Sequence, residues 1–165
     1  MNTLVRDHLP RTYFAAYQLL RTELMTVLSD PDLAFRPGPA LPTLGELCVE
    51  IGEIEHSYVE ALDTFRQDFG WHQDDPTVGH SVAALTAWFA DLDRGLLAAI
   101  EALSDDEIAT RRIKRNDYDV AGFAPLPAQE LDIYREALLI FYGKASVYLR
   151  AMGRPLPEHW AAWIG

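Results

Sequence analysis

The last third of the chain carries apolar residues spaced by sevens. Leu131, Leu138, Ala145 and Met152 repeat at that interval, and Tyr134, Phe141 and Tyr148 fall between them. A helix with such a seam keeps one face turned toward neighbouring helices along its whole length, which is the requirement of a left-handed bundle. The pattern predicts a helix from about Ala128 to Met152. Gly153-Arg154-Pro155 ends it in the expected order, glycine first and proline after.

Three further segments carry the 3.6-residue period and supply the partners that this seam needs. The first runs from about Arg11 to Ser29, with Tyr13, Tyr17, Leu20, Leu24 and Leu28 on one face, and stops at Asp30-Pro31. Phe35-Arg36-Pro37-Gly38-Pro39 then reads as a turn-rich connector. The second helix opens at a capping box, Thr43 with Glu46 three residues on, and its stripe is Leu44, Leu47, Ile51, Ile54, Tyr58, Leu62 and Phe65. Gly70 and the polar run from His72 to Gly79 close it. The third begins near Ser81 and buries Leu85, Trp88, Leu92, Leu96, Ala99 and Leu103.

Before the last helix lies a long crossover. Ser104 with Glu107 caps a short helical turn there, whereas Arg111-Arg112-Ile113-Lys114-Arg115, Tyr118 and Val120-Ala121-Gly122-Phe123 look extended and leave room for a short hairpin. The tail His159-Trp160-Ala161-Ala162-Trp163 is expected to pack both indoles on the bundle. With no repeats or low-complexity tracts, residues 1–165 read as a single all-α domain, a four-helix bundle.

Charge and composition exclude several functions. Fourteen Lys plus Arg against 25 Asp plus Glu give a net charge of −11, the wrong sign for a nucleic-acid binder. No apolar run is long enough to span a bilayer and no secretory signal is visible, so a soluble, cytoplasmic protein is expected. The single cysteine, Cys48, rules out an intrachain disulfide and a cysteine-built zinc site. It has no histidine at a neighbouring helical position and reads as a small core residue. There is no phosphate-cradling glycine loop and no serine-centred nucleophile elbow.

The five histidines, His8, His56, His72, His80 and His159, are scattered. Glu53 and His56 have the Glu-x-x-His spacing of di-iron bundles, but Glu136 on the last helix is followed three residues later by Leu139, so no second copy exists. Glu46, Glu50, Glu53 and Glu60 read as a wetted acidic face. Arg111, Arg112, Lys114 and Arg115 form the strongest charge feature. They neutralise the chain's own acids or those of a dimer partner, or else face a small anionic ligand.

The order of these pieces resembles the DinB/YfiT-like superfamily. Leu28-Ser29-Asp30 through Phe35-Arg36-Pro37 is similar to its post-helix connector, and Thr43 through Ile51 to the opening of its second helix. Tyr142-Gly143-Lys144 through Met152-Gly153, followed by Pro155 and Pro157, is similar to its last-helix signature. The resemblance implies an up-down-down-up bundle, commonly a homodimer. It also implies relatives that hold a divalent metal such as zinc or nickel with three histidines, one on the second helix and two on the fourth. Such a ligand set leaves one position open for water or substrate.

Carried across residue by residue, those three positions fall on Glu50, Ala137 and Phe141. None is histidine, and one carboxylate beside two apolar side chains is a poor donor set for a transition metal, so no metal cofactor is expected. Family geometry points Glu50 inward, where Tyr13, Tyr17 or Arg21 would have to partner it. The expected function is a DinB-like protein with a degenerate metal site, small-molecule-binding or stress-associated and non-hydrolytic. The alternative is a thiol-dependent transferase or hydrolase that acts through a shifted metal site or without metal.

Overall fold

The computed structural model describes residues 1–12, 14–116 and 122–164. Tyr13, Tyr118, Val120 and Ala121, named in the sequence patterns above, lie outside the described residues. Four long helices dominate: α1 (Phe14–Val27), α2 (Leu44–Thr64), α3 (Val82–Ala102) and α4 (Pro127–Ala151). Two two-residue strands, β1 (Arg66–Gln67) and β2 (Lys114–Arg115), join the connections. No helix among the described residues is long and apolar enough to cross a membrane.

The helix starts follow from their caps. The Thr43 hydroxyl accepts from the Glu46 amide at 3.1 Å, and the Glu46 carboxylate accepts from the Thr43 amide at 2.6 Å, which closes the capping box. The Ser81 hydroxyl accepts from the Ala84 amide at 3.3 Å, and Pro127 opens α4. The helical path of the first segment begins earlier than Arg11, with a wide turn at Leu4–His8 and a turn at Leu9–Thr12. Asn2 anchors it by donating to the carbonyls of Ile100 at 2.6 Å and Leu103 at 2.8 Å at the end of α3. That long-range contact has no local signature in the sequence. Helix α2 ends at Phe65, before Gly70, because Phe65 itself takes the left-handed conformation (φ 59°) that ends a helix.

Contacts at the ends fix the direction of each helix. At one end the Asp30 carboxylate after α1 accepts from the Val82 amide that opens α3 (2.8 Å), and Asp32 pairs with Arg154 beyond α4 at 3.0 Å. The Phe35 carbonyl accepts from the Leu44 amide that opens α2 (2.9 Å). The ends of α1 and α4 therefore meet the beginnings of α2 and α3, and the order is up-down-down-up. Helices α2 and α3 run parallel, so residues 65–81 return along the length of the bundle. They pass so close to the first turn of α2 that a Cβ on Gly45 would sit 2.0 Å from the Gly79 carbonyl. The connection before α4 is long, as the spacing predicts, and α3 ends and α4 begins at the same end of the bundle. Its extended piece makes a parallel pair with β1, Arg66 opposite Lys114 and Gln67 opposite Arg115; the turn of the expected hairpin lies outside the described residues.

The heptad seam of α4 is buried as its spacing requires: Leu131, Tyr134, Leu138, Phe141, Ala145 and Tyr148 all lie in the core. On α3 the inward aromatic is Phe89; Trp88 is half-buried and lays its ring over Gly52. Both positions satisfy helical spacing from Leu85, and the gap that a glycine leaves on α2 decides between them. The tail helix Glu158–Ile164 buries Trp160, whose indole donates to the Leu20 carbonyl at 2.9 Å. Trp163 stays 53% exposed while meeting Tyr17 edge-on, so one indole of the two is in the core.

The centre of the bundle is polar. Arg21 and Glu55 are each 0% exposed and ion-paired, and Arg21 also reaches Asp93 at 2.9 Å and lies 4.2 Å from the Phe89 ring centre. An arginine cannot shed its proton to escape burial, whereas a carboxyl can. The two halves of the pair are therefore unequal. Glu55→Leu is expected to cost about 3–5 kcal/mol by stranding a buried cation, Arg21→Leu to cost less, and the double variant to recover most of the loss. Chemical denaturation of the four proteins, compared as a double-mutant cycle, checks this.

Candidate functional site

Glu50, Ala137 and Phe141 come together. Glu50 projects from the second turn of α2 and the other two from the middle of α4, and all three line a cavity of about 220 Å³ between those helices. Leu47, Ile51 and Ile54 supply the α2 wall. Phe141 is 3% exposed and Ala137 half-buried. Glu50 does not point inward: its side chain is half-exposed and faces Lys144, with Nζ 3.8 Å from Oε1. Neither Tyr17 nor Arg21 serves as its partner. The inward position on this stretch of α2 is Glu55, four residues after Ile51 and three before Tyr58, and Glu55 takes Arg21. The spacing Ile51, Glu55, Tyr58, Leu62 carried that signal, because a carboxylate there occupies a core position of the stripe.

Donors for a divalent cation are few at this cavity. Its walls offer one carboxylate that already faces an ammonium, a methyl group and a phenyl ring, and a cation would be repelled by Lys144. No relocated set replaces it, since no three His, Cys, Asp or Glu side chains among the described residues are placed to share a metal. Glu53 accepts from the Gln73 amide at 2.9 Å and faces His72 at 3.2 Å, while His56 stacks on Trp71 at 3.8 Å. The Glu-x-x-His pair is thus split between two unrelated contacts.

Burial pushes the Glu55 carboxyl up to about 7 against the pull of Arg21, and the Asp93 charge adds to the rise. The hydroxyls of Tyr134 and Tyr142 close the same polar centre, and burial raises both. A carboxyl raised on folding binds more protons in the folded than in the unfolded state between about 4.5 and 7. Its contribution to stability is complete below that window and is lost as pH rises through it. Stability measured from pH 4.5 to 7 is expected to fall more steeply in the parent protein than in Glu55→Gln, which cannot titrate.

Cys48 is fully buried, and burial pushes its thiol up to about 12, so it presents no thiolate at neutral pH. The native protein is expected to resist a thiol-alkylating reagent at pH 8 and to take up one equivalent once unfolded; mass spectrometry reads both.

The basic cluster divides. Arg115 turns inward and pairs with the buried Glu130 at 3.0 Å. Arg111 lies 3.8 Å from the Phe65 ring centre and pairs with Glu107 at 2.9 Å, and Arg112 donates to the Ala124 carbonyl at 2.7 Å. Arg111, Arg112 and Lys114 face a hollow of about 320 Å³ that Arg66 joins from β1. Arg66 carries no local signal in the sequence, because the parallel pairing with β2 alone brings it there. A larger hollow, about 690 Å³, lies between α1 and α3. Its walls include Phe14, Leu19 and Leu97, and Asp93 lies at its margin.

An up-down-down-up bundle with a long connection before the last helix is the DinB-like fold. Solved structures that share it include the DinB-like protein YjoA of Bacillus subtilis and a DinB-like protein of Bacillus cereus. The first covers 87% of this chain and 92% of its own at a TM-score of 0.66, the second 88% and 92% at 0.69. Each is 16% identical in sequence, a likeness of fold. No family model matches the sequence, and neither does any curated protein.

Proposed function

We propose that this chain is a small-molecule-binding protein of DinB-like fold whose α2/α4 site works without a metal ion and without hydrolytic chemistry. One observation carries the reading: the cavity that Glu50, Ala137 and Phe141 share is walled by apolar side chains and bordered by the Glu50–Lys144 pair. At about 220 Å³ it is smaller than the roughly 300–1,000 Å³ of ordinary ligand pockets. Its ligand is correspondingly small, with an apolar body and a polar end that reaches the ion pair. The buried Phe141 ring occupies a place on α4 where a ligating side chain would have to reach its neighbours across the gap.

Metal content of the purified protein and calorimetric titration with zinc, nickel and manganese at neutral pH test this. Substoichiometric metal and no saturable binding are expected. One tightly held equivalent, lost in Glu50→Ala, would overturn the reading. The combined substitutions Glu50→His, Ala137→His and Phe141→His are expected to create divalent-metal binding, because the three positions face one cavity. Phe141→His alone is expected to lower stability by about 1.5–3 kcal/mol, the worth of the buried ring.

A further inference from the structure

The hollow formed where β1 meets β2 holds four cations on a chain whose net charge is −11. Arg66 and Lys114 stand directly opposite each other in the parallel pair. Like charges placed opposite across strands are destabilising, and neither side chain has an ion-pair partner among the described residues. Arg111 and Arg112 complete the ring of cations. The only carboxylate paired with any of the four among the described residues is Glu107, on Arg111. Beneath them Phe65 holds φ at 59°, a conformation that a bulky side chain seldom adopts. The same left-handed conformation ends α2. Here it turns the ring into the core, under the Arg111 guanidinium, and sends Arg66 out beside Lys114.

The geometry points to a binding site for a dianionic phosphoryl group at Arg66, Arg111, Arg112 and Lys114. Three guanidinium forks and one ammonium, offset among the described residues by the single paired carboxylate of Glu107, match a doubly charged oxyanion better than a lone carboxylate ligand. The hollow of about 320 Å³ is larger than phosphate needs, so the occupant is a small phosphate monoester or the free ion. The site lies at the far end of α2 from Glu50. Fourteen residues separate Glu50 from Thr64, about 21 Å along the helix axis, so it stands or falls independently of the α2/α4 cavity.

Calorimetric titration of the full chain with inorganic phosphate and with phenyl phosphate, at fixed ionic strength, tests the site. Thermal unfolding with phosphate, and with chloride at the same ionic strength, accompanies it. One-to-one binding is expected, about tenfold or more weaker in the double variant Arg66→Gln, Lys114→Gln, whose side chains are exposed and whose circular dichroism should be unchanged. Phosphate should raise the melting temperature of the parent protein more than chloride does. In phosphate-free buffer the double variant should melt higher than the parent, because the opposed charges are gone. Tighter binding of the ester than of phosphate identifies a phosphorylated metabolite as the occupant, and equal binding identifies the free ion. No saturable binding, binding unchanged in the double variant, a chloride effect equal to that of phosphate, or tighter binding of a short oligonucleotide than of either probe would overturn the proposal.

Discussion

A charged guanidinium at the centre of the bundle organises what surrounds it. Arg21 cannot be neutralised, and in a low-dielectric interior it must be met by a counter-charge and by polarisable surfaces. Glu55 from α2 and Asp93 and the Phe89 ring from α3 contact it, and the two tyrosines of α4 feel its charge, so one side chain of α1 interacts with every other long helix. The arrangement fixes helix rotation as well as proximity. It requires Glu55 to take the inward position on α2, and this turns Glu50 to the edge.

That rotation governs the candidate site. With Glu50 at the rim and paired with Lys144, the α2/α4 cavity is apolar within and charged at its border. A site meant to hold a cation would need donors turned toward one point, but the wall here is a benzyl group, a methyl group and aliphatic side chains. The fold is shared with solved DinB-like proteins, and one fold hosts many activities, so the side chains in the cavity decide the chemistry.

The bundle was legible because its signals are local. The sevenfold seam of α4 and the caps at Thr43, Ser81 and Ser104 each act within a turn or two of helix, and each appears where the sequence places it. What was not legible depends on residues far apart in the chain. The spacing of α2 places Glu55 on its inward stripe, but that Arg21, 34 residues earlier, is its partner has no local signature. Arg66 joins the basic cluster through a strand pair that spacing cannot reveal, and Asn2 fixes the N-terminal turns through carbonyls at the other end of α3. Trp88 and Phe89 satisfy the same periodicity, and the choice between them is made by Gly52 on the facing helix.

Crystals of the protein soaked in zinc or nickel at neutral pH, with anomalous scattering collected at the metal edge, put the central claim to its most direct test. No anomalous density is predicted between α2 and α4 at the level of Glu50, with the Phe141 ring in its buried position. A well-occupied ion there, with Phe141 swung aside and Glu50 turned from Lys144 to meet it, would contradict the claim.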